Sequence, residues 1–396
     1  MNFGEVKERF KTVRIISHTD LDGYGAAAAM VGLLHNSLGY DMDDIEVIHC
    51  SPADAYNLAP GFNIITDLSV NSAGNWERMM NHHRDPNNLI WWIDHHATSV
   101  EMIEQHPELK EIPSVINTKY AATMLAWIIH RVAYDKAYTF TMDELTISDI
   151  EVEDVFRFAR LCDSIHETRE IPYAVTLVDD WDLFKKKYLD SPYYNSAFYS
   201  CPLFIHNAKS QYMQDSFGDI DESMVMCLAA TEYIIRFGKT AQDWQRYLYL
   251  TAMLNSGFTC TIEPKVKDEY FDEIRNIRFI GVNRMDFNMV IGAVSLMEKY
   301  PWGLGFKVTG RGFEHTLYCT KLGKITAKDI AFRMGGGGHP SCAGFTSKEF
   351  VLKDIQALDP SMRELIKKDL REVKKRILPT PPKEIGLYLK LRTGEK

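Results

Sequence analysis

Four apolar runs in this chain each end in acidic residues or histidine. The run at 13–16 leads into Ser17-His18-Thr19-Asp20-Leu21-Asp22-Gly23, and the run at 62–65 into Thr66-Asp67. The run at 89–93 leads into Asp94-His95-His96, and the run at 175–178 into Asp179-Asp180-Trp181-Asp182. Carboxylates and imidazoles together make an oxygen and nitrogen ligand set for divalent cations. A pair of such cations suits hydrolysis at phosphorus and lowers the pKa of a shared water from 15.7 to about 7. Asp20, Asp22, Asp67, Asp94 and Asp180 drawn into one cleft would repel one another strongly without cations. Manganese is the first choice for this donor set, with iron, cobalt or zinc as alternatives.

Each segment also has a plainer reading. His18, Asp20 and Asp22 stand two residues apart, so in extended chain their side chains project to one side. Gly23 then permits a tight approach that a Cβ would block. The plainer reading is a strand followed by a helix that Asp22 caps. Asp67 could bridge two ions through its two oxygens, or end a strand as a turn residue. Adjacent histidines on a strand face opposite ways, so one of His95 and His96 binds metal and the other faces substrate or carries protons. Of Asp179, Asp180 and Asp182, one need reach the ions, and the others are solvated or capping. A second histidine pair, in Asn81-His82-His83-Arg84-Asp85, follows no apolar run and reads as a surface loop.

Strand tips must carry these groups, because ligands in an open α/β sheet bind outside the carboxyl ends of its strands. Further strand candidates lie at 45–48 and 114–117. An alanine-rich helix follows Gly23, and a buried helix is expected over 118–134. Strands alternating with helices imply a mostly parallel sheet. Past 250, strand signals return at 258–262, 277–282, 289–296, 304–308 and 315–319. They precede Gly335-Gly336-Gly337-Gly338-His339, and a charged helix follows at 361–377. The expected architecture is an α/β protein with a mostly parallel N-terminal sheet, a smaller α/β C-terminal domain and an active-site cleft between them. The domains are drawn as 1–195 catalytic, 196–250 connecting and helical, 251–346 substrate-binding, and 347–396 helix and tail.

Composition narrows the functional classes. The chain has 396 residues, which suggests two domains. A formal charge of −9 argues against bulk electrostatic binding of long nucleic acid. The sequence offers neither a membrane span nor an apolar signal core. The seven cysteines are scattered without a CxxC, as in a reducing compartment, so a cytoplasmic protein is expected.

Taken together, these segments resemble the DHH phosphoesterase family, with Asp94-His95-His96 as the naming motif. The order His-x-Asp-x-Asp-Gly, lone Asp67, Asp-His-His and late Asp180 matches. Gly336-Gly337-Gly338-His339 resembles the GGGH run of the family's associated C-terminal domain, and the likeness spans roughly 10–345. The resemblance implies that His18 and Asp20 hold one ion, that Asp22, His95 and Asp180 hold the other, and that Asp67 bridges. His96 would contact the scissile phosphate and Asp94 would orient the histidines. Gly336, Gly337, Gly338 and His339 would bind substrate, the glycines by turning successive N–H groups around phosphate oxygens. A helix C-cap is the plainer reading of that run. One departure stands out. Tyr318 occupies the place of a family arginine, for which Arg311, Lys307, Lys321 or Arg333 could compensate.

Within the family, size and the Val-Asp-Asp-Trp-Asp form resemble the nano-RNase B type of oligoribonuclease. The implied activity is hydrolysis of short oligoribonucleotides to mononucleotides. Alternatives are a phosphatase or phosphodiesterase on nucleoside bisphosphates or linear dinucleotides, or a RecJ-like single-strand DNA exonuclease. A non-catalytic scaffold would show decayed ligands, and none of the expected ligands is missing. The expected partner is short single-stranded RNA or a dinucleotide, with no membrane and with a homodimer left open.

Overall fold

A computed structural model describes the chain except residues 52–56, 71–72, 140–148, 164–165, 167–170, 201–223, 283–300, 311, 322 and 378–396. The expected strand at 289–296, Arg311 and the tail from Pro379 lie outside the described residues. The chain divides into two units, Met1–Gly238 and Lys239–Lys396.

The first unit is built on five parallel strands: β1 (Val13–Ser17), β2 (Ile45–His49), β3 (Phe62–Thr66), β4 (Leu89–Asp94) and β5 (Ser114–Ile116). Their order is β2-β1-β3-β4-β5. The strands read as unbroken apolar runs because both faces of the sheet are covered. Ile15, Ile64, Trp91 and Ile93 belong to one buried cluster, while Ile16, Ile65, Ile90 and Trp92 belong to another. The first cluster takes in α1 (Phe3–Arg9), α2 (Leu21–Gly32), α5 (Ala122–Thr139), α6 (Val152–Ala159) and the helix Tyr173–Asp182. The second takes in Met79 and Met80 of α3 (Ala73–Arg84) and Met102 of α4 (Ala97–Gln105). Burying each such aliphatic side chain contributes roughly 1.5–3 kcal/mol. The alanines 26–29 let α2 approach closely and are all buried.

With β1 lying between β2 and β3, strand order reverses at the β1/β3 boundary. That is the switch point where open sheets of this order bind ligands. The ends of β1 and β3 there carry His18 and Asp67.

Two sequence expectations fail here. The run at 175–178 is not a strand but part of the helix Tyr173–Asp182. A four-residue apolar run cannot distinguish a buried strand from a buried helix, and Ala174, Val175, Leu177 and Val178 are buried together. His82 and His83 lie in α3, not in a loop. His82 is buried, 3.1 Å from the Asn63 amide nitrogen and 3.3 Å from the Gly61 carbonyl.

The second unit holds seven strands, β6 (Phe258–Ile262), β7 (Phe279–Val282), β8 (Trp302–Thr309), β9 (Gly312–Cys319), β10 (Gly337–Gly338), β11 (Cys342–Ser347) and β12 (Leu352–Ala357). They run in the order β10-β11-β9-β8-β7-β6-β12, with β7 and β8 the parallel pair. The helices Met224–Ser256 and Pro360–Ile377 supply Tyr249, Met253, Met362 and Ile366 to a cluster with Ile280 and Val282. Among the described residues, no helix is long and apolar enough to cross a membrane.

Candidate metal centre

The chain turns sharply after β1. Asp20 is the N-cap of α2 and accepts the Gly23 N–H at 3.0 Å, so Asp20 takes the capping role that the sequence allowed to Asp22. Its other oxygen lies 2.7 Å from His18 Nδ1. Gly23 is packed so tightly that an added Cβ would sit 2.4 Å from the His18 carbonyl oxygen. Ser17 Oγ donates to the Gly23 carbonyl at 2.5 Å and closes the turn. Gly23→Ala is therefore expected to displace His18. It should lower turnover at least about tenfold and cost about 1–3 kcal/mol of stability, as overpacking does. Chemical denaturation alongside manganese-dependent turnover checks this, and a variant matching the parent in both would contradict it.

Asp22 lies in the first turn of α2 and faces the start of α5. The Ala122 and Thr123 N–H groups each donate to its carboxylate at 2.8 Å. These are orphan donors of a helix N-terminus, whose positive dipole end favours a carboxylate. Asp67 follows β3 with a φ of 56°, and its N–H donates to the Ile93 carbonyl at 2.9 Å. A left-handed backbone is uncommon outside glycine, and strain of this kind collects at functional sites.

His95 Nε2 stands at the centre of the group. It lies 3.2 Å from Asp67 Oδ1, 3.5 Å from Asp22 Oδ2 and 3.4 Å from Asp182 Oδ2. His18 Nδ1 is 3.7 Å from Asp67 Oδ2. Two sets thus arise, His18 with Asp20 and Asp67, and Asp22 with His95 and Asp182; within each, ligand atoms lie within 4.8 Å of one another. Asp67 also groups with Asp94, His95 and His96 on the same criterion. His96 Nδ1 is 2.7 Å from Asp94 Oδ1, and Ser99 Oγ donates to the other Asp94 oxygen.

The protein alone leaves this site electrostatically unbalanced. Burial, and then the charges of Asp20, Asp22 and Asp182, push the Asp67 carboxyl well above the usual carboxylate range. Burial followed by Asp22 and Asp20 does the same to Asp182. Burial also raises Asp22 and lowers His95. His96 behaves differently. Burial pulls its pKa down, but the Asp94 charge and hydrogen bond outweigh that and lift it to about 9. Among the described residues, Asp67 Oδ2 and Asp182 Oδ2 are buried without a hydrogen-bond partner. Buried carboxylate oxygens that accept no hydrogen bond are costly unless a cation meets them. The residues therefore fit divalent ions.

The structure corrects one expected ligand. Asp180 does not join the group. It accepts the Lys187 N–H at 2.7 Å, the Tyr188 N–H at 3.4 Å and the Ser191 hydroxyl at 2.5 Å, tying a loop to the helix Ser191–Ser200. Asp179 accepts the Ala121 N–H at 2.8 Å and lies 2.5 Å from Lys185 Nζ. Asp182 is the carboxylate that reaches His95. Residues two apart share a side in a strand but point nearly opposite ways in a helix. Helical spacing, with Val175 and Val178 buried on one stripe, was the signal that selects Asp182.

The second unit's glycine run has a structural use. Gly335 has a φ of +83° and donates to the Phe332 carbonyl, while Gly336 donates to the Ala331 carbonyl at 2.8 Å. Together they close the helix Ala327–Arg333. A Cβ on Gly336 would meet the Gly344 carbonyl at 2.0 Å, and one on Gly338 would meet Ala343 Cα at 2.6 Å. The His339 N–H donates to the Cys342 carbonyl at 2.8 Å. The Gly336 and His339 amides are thus spent inside the domain and do not form an anion cradle. Tyr318 stands opposite Cys342 in the β9/β11 pairing. Of the cations considered in its stead, Lys307 pairs with Glu314 at 3.1 Å and Arg333 with Asp268 at 2.7 Å. Arg311 lies outside the described residues.

No protein-family model matches the sequence, and no curated protein does. Several solved structures align with most of the chain. An exopolyphosphatase-related protein of Bacteroides fragilis is 12% identical, with 95% of this chain and 96% of that chain covered and a TM-score of 0.44. RecJ of Thermus thermophilus, solved with Mn2+, is 13% identical, with 96% of this chain covered and a TM-score of 0.40, and this chain spans 54% of it. The pGpG-specific phosphodiesterase PggH of Vibrio cholerae is 12% identical, with coverage of 92% and 99% and a TM-score of 0.34.

Proposed function

We propose that this chain is a DHH-type phosphoesterase that hydrolyses short oligoribonucleotides to mononucleotides with two divalent ions, manganese foremost. The observation that carries the reading is the convergence of His18, Asp20, Asp22, Asp67, His95 and Asp182 at the sheet's switch point, with two buried carboxylate oxygens that accept no hydrogen bond among the described residues. His18 and Asp20 would hold one ion, Asp22, His95 and Asp182 the other, and Asp67 both. When bound, the ions would supply Lewis-acid polarisation of a phosphoryl oxygen and a more acidic attacking water.

The chain's own groups do the rest. Asp94, fixed by Ser99, holds His96 Nδ1 and keeps that imidazole protonated at neutral pH. His96 Nε2–H then points a charged donor at a non-bridging phosphate oxygen, where negative charge builds in the transition state. The Ala122 and Thr123 amides hold Asp22 in its charged orientation. The reading carries a cytoplasmic place of action, in keeping with Cys50, Cys162, Cys260, Cys319 and Cys342 as thiols outside any disulfide.

A manganese-dependent assay across substrates tests it. Labelled RNA from dimer to pentamer should be cleaved to mononucleotides, with activity lost on chelation and restored by manganese. Preference for a nucleoside bisphosphate or a linear dinucleotide would replace the oligoribonuclease reading, as would preference for long single-stranded DNA. Hydrolysis that survives chelation would remove the metal chemistry altogether.

A further inference from the structure

The helix Pro360–Ile377 is amphipathic in an unequal way. Met362, Ile366 and Val373 are fully buried against Tyr249, Met253, Ile280 and Val282. The opposite face exposes Arg363, Lys367, Lys368, Arg371, Lys374 and Lys375. Residues 363–376 carry seven basic and three acidic residues in a chain whose net charge is −9. Lys367 pairs with Glu364 at 2.6 Å and Lys375 with Glu372 at 2.8 Å. Arg363, Lys368, Arg371 and Lys374 form no ion pair among the described residues.

The helix dipole accounts for cations in the last turn, where Lys374, Lys375 and Arg376 lie. It does not account for Arg363 near the start, where a cation is disfavoured. Arg363, Lys367, Arg371 and Lys375 follow at four-residue steps, so like charges neighbour one another along a stripe about 18 Å long. Glu364 and Glu372 offset Lys367 and Lys375, and the surplus left by Arg363, Lys368, Arg371 and Lys374 suits a ligand with repeated negative charge. An anionic membrane fits poorly, because the helix's apolar residues are buried in its own domain and cannot insert. The stripe carries no aromatic ring to stack on bases, so its contact would be with phosphates and indifferent to sequence.

We propose that this basic face binds the phosphate backbone of single-stranded RNA, through residues other than those of the metal centre. The choice of RNA over other polyanions rests on the phosphodiesterase reading above. The helix beyond residue 346 would then hold strands longer than those the catalytic site was inferred to cut.

Fluorescence anisotropy with manganese-loaded full-length protein and hydrolysis-resistant phosphorothioate oligonucleotides of 2, 5 and 20 nucleotides tests the inference. Affinity should rise from the 5-mer to the 20-mer. Lys368→Gln combined with Arg371→Gln should weaken 20-mer binding about tenfold and lower the log–log salt slope by about 1.4, at about 0.7 per phosphate contact. The charge-preserving pair Lys368→Arg and Arg371→Lys should bind as the parent does. Dinucleotide turnover and melting temperature should stay unchanged in both. A parent that does not bind the 20-mer, or a Gln variant with the same affinity and slope, would overturn the inference. So would charge-dependent capture by phosphatidylserine vesicles without RNA binding. Charge-dependent 20-mer binding without hydrolysis of any phosphodiester would instead overturn the hydrolase reading and leave the surface standing.

Discussion

Asp67→Asn is expected to reduce phosphodiester hydrolysis by about a thousandfold or more, a loss of roughly 4 kcal/mol of transition-state stabilisation at about 1.4 kcal/mol per decade. Asp67 is shared by the His18–Asp20 set and the set around His95. Losing its charge therefore weakens both ion sites together. The fold should survive, because the side chain packs no core and its Oδ2 has no hydrogen bond to lose among the described residues. Without metal the variant should melt at or above the parent's temperature, since a neutral amide ends the repulsion with Asp20, Asp22 and Asp182. With manganese the order should reverse. The parent should gain about 2.7 kcal/mol at a hundredfold excess over Kd, and the variant little. Calorimetry with and without manganese, beside turnover, checks both halves. Normal turnover by the variant would show that Asp67 is not a ligand.

The second large effect separates two neighbouring aspartates. Asp182→Asn should lower turnover about a hundredfold or more with little change in folding stability. Asp180→Asn should do the reverse. It weakens the hold on Lys187, Tyr188 and Ser191 and should cost about 1–3 kcal/mol of stability while leaving the folded fraction active. Urea unfolding beside turnover per folded molecule resolves the two. If Asp180→Asn abolishes turnover in fully folded protein while Asp182→Asn does not, the ligand assignment is reversed.

Three of the four acidic tips were legible because β1, β3 and β4 lie inside a sheet covered on both faces. Their apolar runs end where the sheet ends, and the polar residues that follow must emerge at its edge. The fourth was misread in its geometry, since the run at 175–178 is buried as a helix. The resemblance named Asp180, and without the helical spacing nothing in the run separated it from Asp182. α3 was hidden because its sequence is polar, so His82 looked exposed although it packs against Asn63. β11 and β12 left little trace. β11 opens with Cys342-Ala343-Gly344, and β12 is an edge strand exposed along Lys353, Asp354, Ile355 and Gln356. The glycine run was visible, but its structural use was not. Closing a helix and letting β10 meet β11 depend on partners such as Gly344 and Ala343 that periodicity does not reveal.

The central claim is that Asp67 lies between two cation sites. Diffraction from manganese-soaked crystals at the metal's absorption edge tests it most directly. The account predicts two anomalous peaks, one also bonded to His18 and Asp20 and the other to Asp22, His95 and Asp182, with Asp67 touching both. Asp67 without a neighbouring peak, in crystals of protein that turns over in manganese, would contradict it.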